Sequence, residues 1–290
     1  MIVLTLKDQP SVPLEAEVLA PDHFAGLDIP AIRALPVFLG KRQLRVDDFF
    51  SVDGESAAVE TGEEIEIRGD LAKVKWIGRA MTGGRLKIVG NVGMHLGAYM
   101  RGGSIEVMGN ASDWVGGEMT GGLIHVHGNV GGQVGAAYRG SLKGMREGTI
   151  LIEGSAGLEV GMRMRRGIIA VKGPVRDFAG LQMKGGTIVL YSGAELRTGA
   201  WMIRGSIVCL APIKLLPTFI YACRDNPTFL RLYARHLGNF GFPIPVDDWQ
   251  GAYHRYSGDT SVPGKGEILI WQPHAGSSTP TNTAVSPTCN

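Results

Sequence analysis

One phrase recurs along the middle of the chain at a fixed interval, and it limits the possible folds more than any other feature. Methionines stand at Met81, Met100, Met119, Met145, Met164, Met183 and Met202, separated by 19 residues except for one interval of 26. The long interval accommodates an inserted loop at Tyr138–Gly144. Three residues after each Met comes a glycine, from Gly84 and Gly103 through to Gly205. Five and seven residues after it come aliphatic pairs such as Leu86/Ile88, Ile105/Val107 and Ile188/Leu190; the final pair is Ile207/Cys209. Further glycines follow at Gly90, Gly109, Gly128, Gly154 and Gly173, and at Gly97, Gly116, Gly135, Gly161, Gly180 and Gly199.

Apolar residues two apart point to one side of an extended strand. Each copy therefore reads as a short strand with one inward face, bounded by glycine turns. Such a unit buries little alone, but stacked copies share a continuous core. The expectation is an all-β chain: a single-stranded right-handed β-helix, or solenoid, of about seven 19-residue coils. At the usual strand spacing it is a rod of roughly 30–35 Å. Ser192 and Ala211 replace the strand-end glycine, so the last coils should turn differently. The glycine content, 43 of 290 residues, leaves no helical window inside the repeat, which argues against TIM-barrel and Rossmann folds. "NVGGQVG" is not read as a phosphate loop, because no helix follows it and its glycines belong to columns present in every coil.

Four regions are expected: an N-terminal lobe over 1–60, the repeat over 61–212, a C-terminal helix and strand over 213–273, and a polar tail over 274–290. In "NPTFLRLYARHLG", Asn226 is the expected N-cap, Pro227 opens the helix and Gly238 stops it, with Phe229, Leu232, Tyr233 and His236 on one side. The tail from Ala275 has a disordered composition. The N-terminus lacks the pattern of a signal peptide, and no apolar run is long enough to span a bilayer. Cys209, Cys223 and Cys289 have no CxxC spacing and fit a reducing, cytoplasmic setting. A net charge of +2 implies neither a nucleic-acid nor a membrane partner.

Candidate chemistry is sparse. The inward columns are aliphatic and supply no catalytic group. His125 and His127 share a strand face at a spacing that can bind metal. With no third ligand evident nearby, they read as surface histidines and no metal site is assigned. Arg163, Arg165, Arg166 and Arg176 form a basic cluster, a candidate contact for an acidic partner or a polyanion. The outward position six residues after each Met is Lys87, Glu106 and His125 in the first coils, then Leu151, Ala170, Val189 and Val208. This apolar strip needs a cover, either the interface of a partner protein or the chain's own C-terminal segment. "YHRYSGDTSVPGKGEILIW" reads as a structural turn followed by a strand.

The copies "GGRLKIVGNVGMHLGAYMRGGSIEVMGN" and "GGLIHVHGNVGGQVGAAYRG" resemble the repeat shared by the C-terminal domain of glutamate synthase and the C subunit of formylmethanofuran dehydrogenase. "LTLKDQP" and "YSGDTSVPGKGEILI" are similar to the C subunit in particular, and the resemblance covers about residues 1–273. It implies a non-catalytic scaffold subunit in one of two kinds of complex. One is a formyltransferase/hydrolase that moves formyl from formyl-tetrahydromethanopterin to a methanofuran-type carrier and hydrolyses it to formate. The other is a molybdenum or tungsten dehydrogenase. In the first, the resemblance implies three partners. One is a zinc-carrying, hydrolase-like protein, one is like a molybdopterin protein, and one is a formyltransferase. No cofactor is expected on this chain. The modest charged fraction of 19% and the polar tail favour the formyltransferase/hydrolase branch over a hyperthermophile's dehydrogenase. A stand-alone domain related to glutamate synthase, with flavin or glutaminase partners, is the third reading.

Overall fold

The computed structural model describes residues 1–54 and 64–274. The tail expected to be disordered lies, from Ala275 onward, outside the described residues, as does Cys289. The chain opens with β1 (Ile2–Leu6), β2 (Leu14–Glu15), α1 (Pro21–Phe24), α2 (Ile29–Arg33), β3 (Pro36–Leu39), β4 (Arg42–Arg45), α3 (Val46–Phe49) and β5 (Phe50–Asp53). The repeat contributes β6 (Glu64–Arg68), β7 (Val74–Lys75), β8 (Arg85–Val89), β9 (Ser104–Val107), β10 (Thr120–Val126), β11 (Glu147–Ile152), β12 (Ile168–Val171), β13 (Lys184–Leu190) and β14 (Arg204–Cys209). It is followed by β15 (Ile220–Asp225), α4 (Leu230–Gly238), β16 (Gly251–Gly258) and β17 (Lys265–Pro273).

The chain is mainly β, with one 13-stranded sheet and one 4-stranded sheet among the described residues. From β8 to β14, each strand pairs in parallel with the next copy, so that like residues stack. Leu86, Ile105, Ile124, Ile150, Ile169, Ile188 and Ile207 form one such ladder. Isolated parallel bridges link Leu71, Val92, Ala111 and Val130, and then Ala156, Val175 and Ala194, so within each of these two runs a copy also meets its neighbour at a second place. The inserted loop leaves the ladder intact, since β10 and β11 still pair.

The Met–Gly phrase has a packing cause. Every repeat Met is fully buried. A Cβ added to Gly103 would lie 2.6 Å from Cε of Met81, and one added to Gly122 would lie 2.7 Å from Cε of Met100. Each methionine thus fills the space that the next copy's glycine leaves open. Gly97 has a different role: it sits at φ +61°, and a Cβ there would meet Cδ1 of Ile124 at 2.6 Å.

The ladder extends past the repeat at both ends. β6 pairs with β1, and β17 pairs with β14 in parallel. Gly266, Ile268 and Ile270 of β17 occupy the same columns as Gly205, Ile207 and Cys209. A Cβ on Gly266 would lie 2.5 Å from Cε of Met202, so β17 acts as one more copy supplied from the C-terminal segment. Asp259 secures the turn before it: 2% exposed, it accepts the Trp201 N–H at 2.8 Å and the Ser261 N–H at 2.9 Å.

The C-terminal helix differs from its sequence reading. It runs from Leu230, and Phe229 rather than Asn226 precedes it. Asn226 instead donates from Nδ2 to Asp248 and to the Gly251 carbonyl. Leu230 and Leu237 are fully buried while Leu232 is 74% exposed. The buried face is thus Leu230, Tyr233, Ala234 and Leu237, a helical i, i+3, i+4, i+7 stripe that excludes Leu232.

Cys209 is buried, and burial pushes its thiol up to about 12. Cys209 and Cys223 are both free. No helix among the described residues is long and apolar enough to cross a membrane.

Candidate functional site

The parallel register turns each repeat position into a row of side chains along the sheet, and the rows are where candidate sites must be sought. The row containing Leu151, Ala170, Val189 and Val208 is fully buried. It packs with Leu230, Leu237, Phe242, Ile244, Tyr253, Leu269 and Trp271. Its cover is the chain's own C-terminal segment. Of the two covers that the sequence leaves open, this is the chain's own, and the four side chains have no exposed area left to offer a partner.

The four arginines have different surroundings. Arg163 donates from Nε to Gln182 at 2.7 Å and from Nη1 to the Ser141 carbonyl at 2.6 Å, pinning the inserted loop. Arg176 is exposed and lies 3.6 Å from the Glu195 carboxylate. Arg166 is exposed on an open groove of about 480 Å³ that also includes Glu147 and Tyr233. Arg165 is half-buried, and its Nε is shut off from water without a hydrogen-bond partner.

Stacking supplies other neighbours for Arg165. The N–H groups of Arg101, Thr120, Arg146, Arg165 and Lys184 each bond the carbonyl of the Met one copy earlier, so these five residues form one row. Arg101, Arg146, Arg165 and Lys184 have no ion pair among the described residues. Arg101 and Arg146 line a second groove of about 450 Å³ with His23, Arg79 and Tyr99 and with two carboxylates, Glu17 and Glu118. The signal for this row is the position directly after each Met, a column that proximity along the chain does not bring to notice.

A second feature escapes the sequence because its backbone is unusual. Trp76, His95 and Trp114 occupy equivalent corners, all non-glycine residues near φ +67° or +68°. The left-handed turn projects their rings into one stack. Trp76 lies 4.0 Å from His95, and Trp114 lies 4.6 Å from Tyr138 of the inserted loop. Nδ1 of His95 and the Tyr138 hydroxyl are 2.9 Å apart. Burial, followed by the nearby Lys75 charge, pushes the His95 imidazole from 6.5 down to about 4, against the opposing pull of Asp113. The unfolded chain therefore binds the extra proton first on acidification. Stability contributed here is complete above about pH 6.5 and falls between that value and about pH 4. His95→Gln should flatten the pH dependence of the unfolding midpoint in this window. An unchanged profile would remove His95 from that role.

His125 and His127 face outward together, with ring centroids 4.3 Å apart. Nε2 of His125 lies 3.1 Å from Oε1 of Glu153, and Nε2 of His127 lies 3.0 Å from Oε1 of Glu106. Burial pushes the His125 imidazole down, and the Glu153 hydrogen bond partly offsets the shift. No nucleophile–base pair joins these residues, so they carry no triad-like chemistry.

No family model matches the chain. Over 97 residues it is 43% identical to the C subunit of the tungsten-containing formylmethanofuran dehydrogenase 2 of Methanothermobacter marburgensis, a match covering 33% of this chain and 36% of that one. Over 98 residues it is 42% identical to the C subunit of the molybdenum-containing formylmethanofuran dehydrogenase 1 of the same organism, covering 33% of this chain and 23% of that one. The matches thus span about a third or less of these relatives' length. The likeness to one solved structure is far more extensive. A chain of the formyltransferase/hydrolase complex (FhcABCD) from Methylorubrum extorquens, in complex with methylofuran, aligns with a TM-score of 0.83 at 30% identity, over 92% of this chain and 98% of that one. The protein therefore belongs to the family of C subunits found in formylmethanofuran dehydrogenases and the formyltransferase/hydrolase complex.

Proposed function

We propose that this chain is the non-catalytic scaffold subunit of a formyltransferase/hydrolase complex. In this reading the complex passes formyl from formyl-tetrahydromethanopterin to a methanofuran-type carrier and hydrolyses it to formate. The partners are a zinc-bearing, hydrolase-like protein, a molybdopterin-protein-like one and a formyltransferase, assembled in the cytoplasm. The observation that carries the reading is the structural match over nearly all of both chains. The parallel ladder, read as a right-handed β-helix with an N-terminal lobe over 1–60 and a C-terminal extension over 213–273, is a stiff spacer. Rigid spacing suits a tethered carrier visiting two sites, since effective concentration depends on span and tether length.

The basic row supports a contact with an acidic partner or an anionic carrier tail. Arg165 and Arg166 remain candidates from the cluster near residue 165. Arg101, Arg146 and Lys184 join them, whereas Arg163 and Arg176 already have partners on the chain. Reversing charge at Arg146, Arg165 and Lys184 should lower the activity of the complex severalfold and weaken its salt dependence. Unchanged assembly and activity would dismiss the contact.

A second reading, the C subunit of a molybdenum or tungsten dehydrogenase, is favoured by the identity of over 40% to those proteins within the shared third. Native purification through a tag, with mass spectrometry of the intact assembly and metal analysis, separates the two. Hydrolase and formyltransferase partners with zinc, and neither molybdenum nor tungsten, support the first reading. Molybdenum or tungsten with iron–sulfur partners supports the second, and a lone monomer defeats both.

A further inference from the structure

We infer that Glu106, His125 and His127 form a binding site for one divalent transition-metal cation of the zinc class. The sequence offered only two of the three ligands. The third comes from the preceding copy: parallel register sets Glu106 of β9 beside His125 of β10. His127 follows two residues along the same outward face. One nitrogen from each ring and one oxygen of Glu106 lie within 4.8 Å of one another. Tetrahedral ligation at zinc distances brings such donors to about 3.4 Å, so closure asks for side-chain shifts of about 1 Å.

The surroundings suit ligation. The Glu153 carboxylate bonds His125 and is itself held by Lys172. A carboxylate behind a ligating imidazole fixes the ring and raises its basicity. Lys172 lies 4.3 Å from the centroid of Phe242, and that ring sets its edge against His125 at 5.9 Å. The C-terminal segment thus forms an apolar wall on one side. The other side is open, with the side chains of His127 and Glu106 exposed by 32% and 44%. Two imidazoles and a carboxylate are a borderline donor set that favours zinc-class ions over calcium or magnesium. Three protein ligands leave a fourth position for water. The ion would cross-link neighbouring copies at the margin of the C-terminal cover.

The test uses the full chain after chelator treatment. Titration with Co²⁺ should develop the visible bands of a four-coordinate site and saturate at one equivalent, and Zn²⁺ should displace it. Glu106→Gln and His127→Asn should each weaken Zn²⁺ binding by roughly tenfold or more, as measured by calorimetry. His236→Asn, on α4, should leave affinity unchanged. Absence of a saturable Co²⁺ spectrum in the unaltered chain would overturn the site, and so would equal Zn²⁺ affinity in the unaltered chain and both ligand variants. The first readout does not depend on whether the variants fold.

Discussion

Gly90→Ala should cost about 3–5 kcal/mol, one of the largest effects expected of a single methyl group in this protein. Gly90 sits at φ +141°, and a Cβ there would lie 1.9 Å from the Gly69 carbonyl oxygen. The obstacle is backbone in the neighbouring copy, so no rotamer change relieves it. Relief would require separating β6 from β8, whose register runs from Glu64↔Arg85 to Arg68↔Val89. The denaturation midpoint should fall by roughly 10 °C, taking the usual scaling for a chain of this size. Gly83→Ala is the matched control: it has open space around it and no left-handed φ, so its effect should stay within about 0.5 kcal/mol. Equal melting of the two variants would refute the close stacking of the copies.

Val189→Asp should be similarly damaging, at about 4 kcal/mol or more, because it buries a carboxylate in an apolar cluster. Val189 is fully buried between Ala170 and Val208 in the parallel register. The cluster over it includes Phe242, Tyr253 and Leu269. Local failure should precede global unfolding, since the cover on this row is a separate segment of the chain. Native-state proteolysis should cut the variant first in the region around α4, while the ladder from β8 to β12 stays protected. Leu232→Asp provides the comparison on α4 itself. That side chain is 74% exposed, so the change should be nearly silent. A Val189→Asp protein with ordinary stability and ordinary protease resistance would show that α4 does not seal this row.

The two experiments probe different kinds of information. The glycine and methionine columns are local and periodic, so their meaning survives in the bare sequence. A residue that must tolerate another copy's backbone is glycine in most copies, with Ser192 and Ala211 at the strand end of the last two, and a Met recurs where it fills the gap left by the glycine of the next copy. The strand ladders follow from the same alignment, as did the family resemblance. The C-terminal helix could be located by its punctuation, but its buried side could not. That depended on which row of the sheet it met, and Leu230 and Leu237, not Leu232, meet it.

The candidate sites divide along the same line. His125 and His127 were visible as a pair because i, i+2 spacing is local. Glu106 joined them only through register between copies, which also placed Glu153 and Lys172 behind them. The arginines near residue 165 looked like one cluster because they are close in sequence. Folding gives them different neighbours, tying Arg163 to the inserted loop and aligning Arg165 with Arg146 and Lys184. The aromatic stack of Trp76, His95 and Trp114 gave no signal, because nothing in those side chains announces a left-handed corner. The sequence by itself determined the repeat, its inward face and its turns, since each depends on spacing along one strand. Only the tertiary structure decided which outward rows are covered, which charges become neighbours and where three donors converge, because those depend on contacts between copies and with the C-terminal segment.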